Sequence, residues 1–148
     1  MKDVFVIGID PAPSKGSTVC YLKDGKISFE DFTPYELKDF LDERTEPDIL
    51  VCWDSPLTGV DVSKKDNSFY SRAIEKKFQQ KEEYHYLKET GVSVLGFAGC
   101  PHWTVSRYVL GLPKFSIYDK DEIPFRLITN ESDIKLGGRM ITEVHPAI

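Results

Sequence analysis

The sequence predicts a single α/β domain built on a mixed β-sheet, and three observations lead there. Two dense apolar, β-branched runs, Val4-Phe5-Val6-Ile7-Gly8-Ile9 and Asp48-Ile49-Leu50-Val51-Cys52-Trp53, each end in an aspartate-bearing turn, Asp10-Pro11 and Asp54-Ser55-Pro56. A helical pattern lies between them, which is the connection that lets two strands pair in parallel. The chain has 148 residues, 41% of them hydrophobic and 29% charged, the size and balance of one soluble domain whose core needs no cross-links. Residues 1–148 are therefore expected to form one domain.

The elements follow in chain order. Val4 to Ile9 has the continuous apolar character of a central strand buried on both faces. Beyond a loop rich in Pro, Ser and Gly, Thr18 to Leu22 reads as a second strand, and Asp24-Gly25 is a tight hairpin signal leading into Ile27-Ser28-Phe29. Thr33-Pro34 with Glu36 gives an N-cap, a first-turn proline and a capping-box acid, and Leu37, Phe40 and Leu41 repeat at helical spacing until Pro47. Asp48 to Trp53 is the next strand, so Asp10 and Asp54 are expected at one sheet edge. Phe69 to Leu87 carries helix formers, and Trp103 to Leu110 predicts a shorter helix. Gly111 to Gly138, broken by Pro113, Pro124 and Gly137-Gly138, predicts loops and short strands. Arg139 to His145 reads as a last strand, stopped by Pro146.

Charge and cysteine content narrow the function classes. The formal charge is −5, and residues 1–60 carry six basic and twelve acidic side chains, so tight non-specific binding to nucleic acid is not expected. Any contact with a nucleic acid or nucleotide would rest on local lysines and arginines. Cys20, Cys52 and Cys100 are odd in number and lack CxxC spacing, which argues against a disulfide framework or a zinc site and for reduced, mostly buried thiols. No apolar run approaches the ~20 residues of a membrane helix, and the start lacks a signal-like apolar stretch, so a cytoplasmic protein is expected.

Asp10, Asp54 and Glu143 each lie in or directly after an apolar strand, where an acid has few waters and needs a partner. Three carboxylates converging from rigid strands at a sheet edge suit Mg²⁺ or Mn²⁺, hard cations that take oxygen ligands. The plainer role for an Asp before Pro is a turn former, and for Glu143 an exposed strand position. His145 shares the face of Glu143 under the period of two and could shuttle a proton or add a ligand; a hydrogen-bonded strand residue is the plainer role. Ser14 and Lys15, after Asp10, and Arg72, in the long helix, are candidate phosphate contacts through charge-assisted donors. Ser14-Lys15-Gly16-Ser17-Thr18 lacks the glycine spacing of a Walker loop.

With Gly8-Ile9-Asp10, Trp53-Asp54-Ser55-Pro56-Leu57 and Glu143-Val144-His145-Pro146 in this order of elements, the chain resembles the predicted RNase H-like nuclease family classed as domain of unknown function four-two-nine. The resemblance implies a mixed five-stranded sheet in the order 3-2-1-4-5, strand 2 antiparallel to its neighbours, with helices on the faces. It implies that Asp10, Asp54 and Glu143 match the acidic metal-binding positions, and that Arg72 resembles a family position. Related folds continue past the last strand into a helix, so the chain is expected to be C-terminally truncated. The leading expectation is a Mg²⁺- or Mn²⁺-dependent nuclease or other phosphodiester-cleaving hydrolase. Alternatives are a nucleotide-binding module of the actin-like ATPase type, using the loop after Asp10, and a non-catalytic binding or scaffold domain.

Overall fold

The two apolar runs do lie side by side in parallel. The computed structural model describes residues 3–57, 102–111 and 124–144. In chain order these form β1 (Phe5–Asp10), β2 (Ser17–Lys23), β3 (Lys26–Phe32), α1 (Pro34–Asp42), β4 (Ile49–Trp53), α2 (His102–Leu110), β5 (Arg126–Leu127), a 3-10 helix (Glu131–Leu136) and β6 (Arg139–Glu143). The expected helix over Phe69–Leu87 lies outside the described residues. The architecture is α/β, with one mixed six-stranded sheet in the order β3-β2-β1-β4-β6-β5. β2 is antiparallel to β1 and β3, whereas the β1/β4, β4/β6 and β5/β6 pairs are parallel.

Among the described residues, six strands rather than five, in the order 3-2-1-4-6-5, differ from the expectation in one element. The strand beginning at Arg139 is where the fifth was expected, beside β4, and the two-residue β5 adds an outer edge. Two residues carry no periodicity, so only neighbouring interactions reveal β5. Arg126 donates to the Asp133 and Gly137 carbonyls at 3.1 and 2.9 Å, and the Ile128 N–H donates to the Ile141 carbonyl at 2.8 Å.

Local chemistry explains the turns and caps. Asp24 (φ 51°) and Gly25 (φ 74°) both have the positive φ of a two-residue hairpin turn whose twist matches the strands. Thr33 caps α1: its hydroxyl accepts from the Glu36 N–H at 3.3 Å, and the Glu36 carboxylate accepts from the Thr33 N–H at 2.8 Å. The Thr33 N–H, with the Thr33 hydroxyl beside it, favours the charged carboxylate and holds Glu36 below its ordinary pKa. At the far end of α1, the Arg139 guanidinium donates to the Leu41 and Arg44 carbonyls at 2.8 and 3.2 Å and lies 4.5 Å over the Phe125 ring. A cation there also opposes the negative end of the helix dipole.

The core fills one face of the sheet. Ile7, Ile9, Val19, Ile49, Val51, Trp53 and Ile141 point to it, and Leu37 and Leu41 of α1 with Val105, Val109 and Leu110 of α2 pack over it. The other face departs from the expectation of a first strand buried on both sides. Val6 is 47% exposed, and on β3 Ile27 and Phe29 are each 68% exposed. Towards β6 that second face closes, since Met140 is fully buried. Both described α-helices lie on the first face, so α-helices on both faces are not found among the described residues. No helix among the described residues is long and apolar enough to cross a membrane.

The start of β4 is locked to the start of β6. The Asp48 carboxylate accepts from the Gly138 N–H at 2.7 Å, and the Ile49 N–H donates to the Gly138 carbonyl at 2.9 Å. Gly137 has φ 68°, and a Cβ there would collide with the Asp48 carboxylate, whereas Gly138 (φ 85°) has open space. Gly137→Ala is therefore expected to cost about 2–4 kcal/mol and Gly138→Ala about 1 kcal/mol. Urea unfolding of the two variants measures the difference; equal costs would remove the Asp48 contact as a constraint on Gly137.

Candidate functional site

The carboxyl ends of three parallel strands stop in one row. Ile9 is in register with Trp53, and Trp53 with Glu143. The ladder continues one step further, because the Asp54 N–H donates to the Ile9 carbonyl and the Val144 N–H to the Trp53 carbonyl, both at 2.9 Å. Asp10 and Asp54 follow Ile9 and Trp53, so they neighbour one another at this rim. The chain leaves β1 towards β2 on one side while β4 lies on the other, and such divergence points in α/β sheets open the crevice where ligands bind.

Buried anchors hold the rim. Trp53 is fully buried, and its indole N–H donates to the Ser106 hydroxyl at 2.9 Å; that hydroxyl in turn donates to the His102 carbonyl at 3.2 Å. The end of β4 is thereby fastened to the first turn of α2. Trp53 belongs to the core and not to a base-stacking surface. On the β1 side, the buried Ser17 hydroxyl accepts from the Ala12 N–H at 3.1 Å and closes the loop that carries Ser14 and Lys15. Both of these side chains are exposed.

The three acids share the rim but not one face. Asp10 is exposed and Asp54 half-exposed. Glu143, in register with Ile9 and Trp53, stands on the core face, one pleat step from Asp10. Its half-buried carboxylate accepts from the backbone N–H of the buried Leu57 at 3.1 Å, tying the turn after β4 to the end of β6. Among the described residues, no three His, Cys, Asp or Glu side chains are grouped so as to hold a metal ion. Register thus brings Asp10 and Asp54 together, and Glu143 works from behind them. β6 ends at Glu143, and His145 and Arg72 lie outside the described residues.

Two residues at this rim escape a reading of motifs. Thr18 pairs with Asp10 on one side and Asp31 on the other, and its hydroxyl donates to the Asp31 carboxylate at 2.8 Å. Asp31 therefore adds an acid on the face of Asp10. Counting back from the Asp24-Gly25 turn gives this register, but only if β3 is extended beyond Phe29. Ser55, next to Asp54, is buried, and its hydroxyl has no hydrogen-bond partner among the described residues. Cys20 and Cys52 flank Gly8 on the second sheet face as free, half-buried thiols, less buried than expected, and burial raises the Cys52 pKa above its ordinary value. That favours the thiol over the nucleophilic thiolate. Cys100 lies outside the described residues.

No family model, curated protein or solved structure matches this chain. The contact made by Glu143 has a direct test. Glu143→Ala leaves the buried Leu57 N–H unpaired and is expected to cost about 1–3 kcal/mol, whereas Glu143→Gln keeps an acceptor oxygen and costs less than about 1 kcal/mol. Denaturant unfolding gives both values, and exchange of the Leu57 amide should accelerate in Glu143→Ala alone. Equal exchange in the two variants would contradict the assigned role.

Proposed function

We propose that this protein is a divalent-cation-dependent phosphodiester hydrolase of the RNase H-like class, acting on a nucleic acid or nucleotide. The observation that carries the reading is the position of Asp10 and Asp54: two carboxylates on adjacent parallel strands, side by side where the connections of the sheet diverge. Mg²⁺ is commonly held through one or two carboxylates, with waters and substrate phosphate oxygens completing its shell, so two neighbouring aspartates are a sufficient protein contribution. The Ser55 hydroxyl beside Asp54, without a partner among the described residues, is a further oxygen suited to this polar crevice. The short motifs around Asp10, Asp54 and Glu143 supply the RNase H-like part of the proposal.

Mg²⁺ or Mn²⁺ bound at the rim would neutralise phosphate charge and lower the pKa of a bound water. The residues divide the remaining work. Asp10 and Asp54 hold the cation. Glu143 positions the turn of Asp54 through the Leu57 N–H. Ser14 and Lys15, on the loop that follows Asp10, offer donors to a phosphate. Arg72 as a phosphate contact and His145 as a proton shuttle complete the proposal from the sequence. Because Asp10, Asp31 and Asp54 all bring negative charge to this rim, a phosphodiester would be repelled in the absence of a cation.

Calorimetric titration with Mn²⁺ and Mg²⁺, paired with hydrolysis assays on single-stranded DNA, duplex DNA, RNA and nucleoside triphosphates, tests the proposal. Wild type is expected to bind cation and cleave at least one of these substrates. Asp10→Asn and Asp54→Asn should each weaken cation binding by about tenfold or more and slow cleavage by about a hundredfold. Equal cation binding in all three proteins, or hydrolysis that survives chelation, would overturn it.

A further inference from the structure

We propose that two copies of this chain pair edge to edge through β3, antiparallel, with Lys26 of each facing Glu30 of the other. Among the described residues the sheet has two edges of very different length. β5 offers two residues, and short edges are protected from pairing, whereas β3 offers seven. Lys23 faces Lys26 across the two-residue turn, and this pair exchanges hydrogen bonds in such hairpins. Alternation from there turns the N–H and C=O groups of Ile27, Phe29 and Asp31 away from β2, towards the open edge.

The side chains select one register. A two-fold axis through Ser28 sets Ile27 opposite Phe29 twice, on the sheet face where each is 68% exposed, and gathers four apolar side chains into one cluster. On the other face the same register sets Lys26 opposite Glu30 twice, and both are exposed. Moving the pairing by one step in either direction loses this complementarity: one shift opposes Glu30 to Asp24, and the other opposes Asp31 to Ile27. A lone edge lysine discourages pairing, but here it has an acid to meet in a single alignment. Tyr21, whose hydroxyl donates to Glu30 at 2.7 Å, orients that acid from the neighbouring strand.

Sedimentation velocity over a concentration series tests the proposal on the intact chain. Wild type is expected to reach twice the 16.9 kDa chain mass as concentration rises. Lys26→Glu and Glu30→Lys should each weaken self-association by about tenfold or more, since each puts like charges opposite one another. An equimolar mixture of these two variants should recover dimers, because each then meets the opposite charge. Lys135→Glu, exposed on the 3-10 helix and away from β3, should leave the dimer unchanged. Should Glu30→Lys fail to fold when Tyr21 loses its partner, as read by circular dichroism, Lys26→Glu against Lys135→Glu still decides. A wild type that stays monomeric, a dimer indifferent to Lys26→Glu, or folded variants that do not associate on mixing would each overturn the proposal.

Discussion

The parallel register of β1, β4 and β6 is the constraint on which the rest of this structure depends. It aligns Ile9, Trp53 and Glu143 in one row and so decides which acids reach the carboxyl rim and on which side of the sheet each stands. A slip of one residue would exchange the core face with the open face along a whole strand, sending Val51 and Trp53 to solvent. Polar contacts at both ends oppose such a slip. Asp48 grips the Gly138 N–H where β4 and β6 begin, and Trp53 reaches Ser106 where β4 stops. Between them, the branched side chains of Ile7, Ile49, Val51 and Ile141 are fully buried and leave little room for an alternative alignment.

The pleat then distributes roles among acids that look equivalent in sequence. Asp10 and Asp54 lie one step beyond the core row, Asp10 exposed and Asp54 half-exposed. Glu143 lies in the core row, where an acid has to satisfy itself with protein donors, and it meets the Leu57 N–H. The result is a rim with its charge facing outward and a brace behind it. Asp31, bonded through Thr18, extends the charge along the rim without extending the brace.

Much of this architecture was legible in the residues themselves. The capping box of Thr33 and Glu36, the Asp24-Gly25 turn, and the crossover that sets Asp54 beside Asp10 are local or near-local signals, and each appears as read. What stayed hidden depends on pairing between distant segments. An apolar run such as Val4 to Ile9 does not reveal that Val6 faces an open surface, because that depends on what lies over the second face. β5 is too short to have a pattern. The engagement of Glu143 joins residues 86 positions apart, and Ser106 anchors Trp53 from 53 positions away; neither spacing has a motif. Asp31 was within reach, since the hairpin turn sets its register, but it lies beyond the apolar residues that mark the strand.

The proposed function rests on a cation sitting between Asp10 and Asp54, and that position can be observed without any substrate. In a ¹⁵N-labelled sample, substoichiometric Mn²⁺ broadens amide signals steeply with distance from the ion. The account requires the earliest losses at Asp10 to Thr18 and at Asp54 to Leu57, while the turn at Asp24-Gly25, at the opposite end of the sheet, stays sharp. Broadening centred on that turn, or spread evenly over exposed acids such as Asp39 and Asp42 of α1, would contradict it.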